Sequence, residues 1–333
     1  MTALSSNGVA PASAATYESA SPAIEITGLS FNYGERLALS GLELSIARSE
    51  IFGFLGPNGG GKSTLFRLLS TLVPMQSGNA RVLGYDLTGA PQELRRKLGV
   101  VFQSPSLDAK LTVSENLHHH GHLYGMYGAA LRDRARAMLA RLGVEDRARD
   151  VVETLSGGLR RRVELAKSLL HQPEMLLLDE PSTGLDPAAR RDFFNLLASL
   201  RDNEGVTIIL TTHYIEEAER CDRIGILDQG HLVALAPPGE LKQQVGGDVI
   251  IISAPAPEAL QRSLDRQLKL HAALVDGTLR IELPRGHELV PRLVNEFGDQ
   301  IEAVTFGRPT LEDVFVHLTG HRFVAGASTE DGH

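Results

Sequence analysis

The stretch Gly56-Pro57-Asn58-Gly59-Gly60-Gly61-Lys62-Ser63-Thr64 constrains this chain more than any other part of it. It has the form G-x-x-x-x-G-K-[ST], a loop built to hold phosphate. Three consecutive glycines allow turns that a Cβ would forbid, so successive backbone N–H groups can face one anion. The apolar run Ile51–Leu55 before it reads as a short buried strand, and Thr64–Leu69 after it reads as a helix whose positive end faces the phosphates. In that setting Lys62 reaches the β- and γ-phosphates and the Ser63 hydroxyl holds Mg2+. A glycine-rich turn that matched by chance would lack the strand and helix that flank this one.

The remaining bounds narrow the context. A chain of 333 residues, 42% hydrophobic, is long enough for a large core and for about two domains. Its net charge of −8 argues against a general nucleic-acid clamp, which wants a basic face. The single cysteine, Cys221, excludes an internal disulfide, fits a cytosolic location, and reads as a small buried hydrophobe. No apolar run reaches the ~18 residues of a membrane span. Residues 1–22 are rich in Ser and Ala, lack the basic and apolar regions of a secretory leader, and read as a disordered tail.

Along the chain, Ala23–Thr27 and Leu42–Ile46 alternate as strands, with the exposed-looking aromatics Phe31 and Tyr33 between them. Tyr33 offers a ring for stacking on a base or packs at a strand end. Pro91–Leu98 reads as a helix opened by proline, and Gly99–Gln103 as a buried strand. Gln103, ending it, either touches Mg2+ or water or is a surface glutamine. Residues 104–172 read as mostly helical, with Thr112 and Glu115 as a capping box. His118 and His122 have the spacing of zinc ligands, but nothing nearby completes a set, and solvated histidines are the preferred reading. Ser156-Gly157-Gly158 opens a helix with an exposed anion-seeking end, and Arg160–Arg162 reads as a solvated face of that helix. Met175–Glu180 reads as a buried strand whose acids emerge at its C-terminal edge, where α/β sheets bind ligands. There Asp179 can hold Mg2+ through water and Glu180 can orient and deprotonate a water in line with the γ-phosphate. Asp186 lies in the following tight loop, His213 ends the strand Val206–Thr212, and Asp228–His231 turns a hairpin.

Taken together, residues 24–239 resemble the ATPase subunit of an ABC transporter, an α/β P-loop NTPase with an inserted helical subdomain. Gly56–Ser63 match Walker A, Gln103 the Q-loop, and Leu155-Ser156-Gly157-Gly158 the signature. Asp179-Glu180 match Walker B with its catalytic glutamate, Ser182–Asp186 the D-loop, and His213 the H-loop. Tyr33 falls where the family stacks adenine. The resemblance implies two ATPase domains paired head to tail, as a homodimer or with a paralogue, each ATP lying between one phosphate loop and the other signature. Ser156, Gly157 and Gly158 would then serve the partner's ATP, Asp186 would report across the dimer, His213 would hold the γ-phosphate, and Gln103 would link the site to a membrane subunit. Two positions depart from the usual pattern. Leu159 stands where the wider family has Gln, and Gly60 where Ala or Ser is usual, which should loosen the loop slightly.

Residues 240–320 show the order β-α-β-β-α-β of a small ferredoxin-like α+β domain. Gly307–Gly320 resembles the tail of daunorubicin/doxorubicin-type ATPases and other ABC-2 exporters. The expectation is a regulatory or dimer-supporting role, with a flexible tail at 321–333. The function expected is a peripheral ATPase using ATP and Mg2+ at the cytoplasmic face of the membrane, driving export through a separate integral permease, with no nucleic acid bound. The alternatives are a soluble ABC ATPase acting on ribosomes or DNA, and a nucleotide-binding module without hydrolysis, against which Glu180 and His213 both argue.

Overall fold

In the computed structural model, residues 21–323 are described; of the two expected tails, residues 1–20 and 324–333 lie outside the described residues. The central sheet runs in the order His231–Ala236, Arg223–Asp228, Ile51–Leu55, Thr207–Thr212, Met175–Asp179, Leu98–Val101. Only the first pair is antiparallel; the others are parallel. Strands covered on both faces read as unbroken apolar runs, and Ile51–Leu55 and Met175–Asp179 are buried at every residue. Alternate residues serve opposite cores. Ile51 and Leu55 join the cluster under the helices, while Phe52 and Phe54 join a second cluster.

That second core is closed by an antiparallel sheet of Arg36–Ile46, Ile24–Tyr33, Ser77–Val82 and Tyr85–Asp86. The first strand of the chain extends through Tyr33, beyond the expected end at Thr27. Position along this strand then separates the two aromatics that looked alike in sequence: Tyr33 is its last residue. Phe31 points inward and is buried, whereas Tyr33 stays exposed. The region expected to be helical holds Val113–Leu123, Gly128–Arg141 and Gly157–Ser168. Thr112 and Glu115 form the capping box, each side chain bonded to the other's backbone N–H. The helix at Pro91 is shorter than expected, Pro91–Arg95, and Leu98 already belongs to the next strand.

The C-terminal sheet runs Ala273–Val275, Thr278–Leu283, Asp248–Ser253, Ala303–Gly307, entirely antiparallel. Helices Pro257–Leu268 and Val290–Phe297 bury Leu260, Leu264, Leu293 and Phe297 against Ile250, Ile252, Leu279 and Ile281. This is the ferredoxin-like order. Its other side is not independent: Val249, Leu311, Val314 and Phe315 share one core with Leu241 and the helices of the ATPase part. Residues 321–323, expected as tail, pack here too. The Phe323 ring lies 5.1 Å from that of Phe315, and His321 reaches Asp228 at 3.2 Å.

Candidate nucleotide site

The phosphate loop leaves the C-terminal end of Ile51–Leu55 and feeds directly into the helix Lys62–Leu69. Gly61 has φ +106°, and a Cβ there would lie 2.7 Å from Leu39 and 2.9 Å from the Ala38 carbonyl, so only glycine makes this turn. A Cβ on Gly56 would lie 2.2 Å from the Leu227 carbonyl. Gly60 is also in a close place: a Cβ there would approach the Leu227 and Pro57 carbonyls at 3.0 and 3.1 Å, so its glycine relieves a tight contact as well as loosening the loop.

A cavity of about 350 Å3 opens over the loop, lined by Tyr33, Asn58, Gly59, Gly61, Lys62, Ser63, Thr64, Gln103 and Glu180. Arg36, Leu37 and Ala38 complete its wall; they follow the turn after Tyr33, and no motif singled them out. Lys62 is buried, its Nζ donating to the carbonyls of Gly56 at 2.7 Å and Pro57 at 3.0 Å, and 4.0 Å from Glu180 Oε1. Glu180 is the meeting point of the site. Gln103 Nε2 donates to its Oε2 at 2.9 Å, and His213 Nδ1 lies 3.1 Å from its Oε1, at ion-pair distance without the angle of an aligned hydrogen bond. Burial alone would raise the Glu180 carboxyl; His213, Lys62 and Gln103 outweigh it and hold the group below its ordinary value. Lys62 is moved down by burial, against the pull of Glu180 and Asp179, and Asp179 is moved up by burial and by Glu180.

Strand ends differ slightly from expectation. The strand Leu98–Val101 stops two residues before Gln103, which sits in the following bend, and Met175–Asp179 stops before Glu180. Glu180 takes φ +44°, uncommon for a residue with a side chain. Thr211, which sequence did not mark, serves both acids: its hydroxyl donates to Asp179 and accepts from the Glu180 N–H.

Ser156, Gly157, Gly158 and Asp186 do not line the cavity. Ser156 caps its own helix, accepting from Leu159 N at 3.3 Å. Gly157 and Gly158 lie near Gly184 and Leu185 of the loop that ends in Asp186. Asp186 caps the next helix, accepting from the N–H groups of Ala188 and Ala189, both at 2.9 Å. Leu159 packs partly buried against the helical core, a use for an apolar side chain where the family usually has Gln.

The expected solvated face Arg160–Arg162 is corrected at its middle residue. Three consecutive helical residues spread over about 200°, and Arg161 points inward, buried against Glu164, Phe102, Glu180 and Pro181. The histidines at 118 and 122 do not converge: His118 bonds the Ser114 carbonyl, and His122 stacks on Tyr127. Among the described residues no group of three or more His, Cys, Asp and Glu could hold a metal ion. Cys221 is buried beside Gly53, and burial pushes its thiol up.

The ABC transporter family model matches residues 39–183. A daunorubicin resistance ATP-binding protein (DrrA3) of Streptomyces coeruleorubidus is 39% identical over 90% of this chain and 97% of its own length. The linearmycin resistance ATP-binding protein LnrL of Bacillus subtilis is 36% identical, covering 86% of this chain and 95% of its own. Among solved structures, cbiO1 from Clostridium perfringens, part of an ABC transporter complex, superposes with a TM-score of 0.62 at 27% identity, over 75% of this chain and 97% of that one. A dimeric ATP-binding cassette in a post-hydrolysis state, bound to ADP and Pi, gives 0.58 at 28% identity, over 64% and 98%. The chain belongs to the ABC transporter family, as an ATP-binding subunit with ATPase activity.

Proposed function

We propose that this chain is the peripheral ATPase of an exporter: two copies, or one copy and a paralogue, pair around two ATP molecules and drive an integral membrane permease at the cytoplasmic face. The observation that carries the reading is the convergence of Lys62, Gln103 and His213 on Glu180 at the rim of the phosphate cavity. Glu180, held ionised, accepts a proton from water as it attacks the γ-phosphorus. Lys62 and the loop N–H groups hold the phosphate oxygens, His213 fixes Glu180 and meets the γ-phosphate, and Tyr33, half exposed at the cavity edge, stacks on adenine. Ser156, Gly157 and Gly158 reach the nucleotide of the opposite copy, and Asp186 faces that copy from the adjoining loop.

The donors near the loop suit Mg2+, which takes hard oxygen ligands. Ser63 is exposed at the cavity, Gln103 bonds Glu180 through its nitrogen and leaves its side-chain oxygen for a ligand, and Asp179 is buried one residue before Glu180. When bound, the ion neutralises charge that builds on the phosphate oxygens.

Export is supported by relatives named for drug resistance and by one from Ralstonia nicotianae named for Nod factor export, 37% identical over 90% of this chain. These names favour the transporter over a ribosome- or DNA-directed ATPase. No helix among the described residues is long and apolar enough to cross a membrane, so in this reading the conduit is another chain. Affinity capture from detergent-solubilised membranes, with and without ATP, tests the assignment. Recovery of a multi-spanning permease is expected. Recovery of ribosomes or nucleic acid without any membrane protein would overturn it while leaving the ATPase chemistry in place.

A further inference from the structure

Arg161 makes contacts that its neighbours in sequence do not. It is 6% exposed, and its guanidinium reaches two separate segments of the site. Nη1 donates to the Phe102 carbonyl at 2.7 Å, directly before Gln103. Nη2 donates to the Glu180 carbonyl at 3.1 Å, and Nε to that of Pro181 at 2.5 Å. Glu164, one turn along the same helix and only 2% exposed, pairs with Arg161 at 2.8 Å and accepts from the Ser106 N–H at 2.7 Å. Lys167, a further turn on, donates to the Ser106 carbonyl and hydroxyl at 2.8 and 2.7 Å. One face of the helix Gly157–Ser168 therefore grips the segment Phe102–Ser106 at both ends and the Glu180-Pro181 peptide.

From this we propose that Arg161 is a positioning residue for ATP hydrolysis, setting the backbones that carry Gln103 and Glu180 from the helix that begins at Ser156-Gly157-Gly158. Glu180 holds its left-handed φ of +44° between two clamps, Thr211 on its N–H and Arg161 on its carbonyl. A residue in a sparsely populated conformation keeps it only when its surroundings over-determine it. Releasing the carbonyl lets the peptide relax and swings the carboxylate away from its aim. The planar guanidinium supplies divergent donors from a fixed fork, and a lysine ammonium is a single compact point. A buried ion pair contributes little to stability by itself, so the role of Arg161 and Glu164 lies in geometry. The same helix presents the signature glycines, so a shift imposed on them by an opposing nucleotide reaches this copy's own carboxylate through one side chain.

The inference rests on Glu180 being the group that activates water, and the test separates the two. Arg161→Gln, Arg161→Lys, Glu180→Gln and the double variant Arg161→Gln/Glu180→Gln are compared as full-length protein with MgATP, by steady-state and single-turnover hydrolysis. Arg161→Gln is expected to lower kcat about tenfold or more while KM for ATP stays within about threefold, and Arg161→Lys, which keeps the charge against Glu164, to recover part of the rate. In the Glu180→Gln background the further change should cost less than about twofold, because Arg161 acts on the reaction through the Glu180 carboxylate, directly and by way of the Gln103 bond to it. Parental kcat in Arg161→Gln beside an inactive Glu180→Gln overturns the inference alone, as does a full additional loss in the double variant. Parental kcat in Glu180→Gln overturns the base assignment and this inference with it. Should Arg161→Gln fail to fold, Arg161→Lys carries the same comparison alone and in the Glu180→Gln background.

Discussion

Lys62 and Glu217 show how differently single buried charges behave in this protein. Lys62 sits in a loop shaped for anions and already donates to two of its carbonyls. Lys62→Ala removes a charge-assisted bond to phosphate, and ATP affinity by calorimetry is expected to fall about 30-fold or more; unchanged affinity would contradict the site. Glu217 is 1% exposed, and burial raises its carboxyl to about 7; it accepts from Ser182 and lies 3.6 Å from Arg190. Between its ordinary value of 4.5 and about 7 the folded chain holds a proton that the unfolded chain has released. That contribution to stability is complete below the lower value and is lost as pH rises through the upper one. Glu217→Gln should therefore flatten the fall in urea-melt stability between pH 5 and pH 8 by about 3 kcal/mol at most. An identical pH dependence in parent and variant would show that Glu217 is not buried as described. Lys62, Ser63 and Glu180 were legible because loop, strand and helix surround them within a few residues. Thr211, Glu217 and Arg161 were not, because the groups they serve lie 19 to 59 residues away, where sequence spacing carries no signal.

At the scale of elements, caps and turns were the most readable features, because their chemistry is local. Thr112 with Glu115 forms the expected reciprocal capping box, and Gln229-Gly230, both at positive φ, turn the hairpin. Asp186 adds a local duty to the one expected across a dimer. Its carboxylate caps the helix Pro187–Glu204. Asp186→Ala should lower the melting temperature, while Asp186→Asn keeps a capping oxygen and should lower it less. If the carboxylate also acts between copies, Asp186→Asn lowers ATPase activity at nearly parental stability; equal activity in Asp186→Asn and parent would confine the residue to capping. Strand ends were less readable. The strand expected to end at Gln103 stops at Val101, and the Phe102 carbonyl accepts from Arg161 instead of continuing the ladder.

For the whole molecule, the order of motifs announced the architecture, and the alternation of strands and helices announced the C-terminal α+β unit. What sequence did not reveal is how the two are joined. Leu311, Val314 and Phe315 lie on the last helix, Leu311–Thr319, but nothing local says that they fill a core shared with Ile224 and Ile226 of the ATPase sheet. Deleting residues 241–333 therefore removes part of the ATPase core, and the truncated chain should melt well below the parent and expose apolar surface to dye; a truncation with parental melting temperature would refute the shared core. Substituting the sheet-facing residues Leu260 and Leu264, which belong to the separate cluster, tests a regulatory role without that confusion.

One carboxylate, that of Glu180, decides the chemistry of this site. In Glu180→Gln, MgATP binding and single-turnover hydrolysis should be measured on the same preparation. The prediction is affinity within about threefold of the parent, a hydrolysis rate at least about 100-fold lower, and an ATP-dependent dimer that persists because its nucleotide is not consumed. Hydrolysis at the parental rate would contradict the assignment of Glu180 as the base and, with it, the reading of this site.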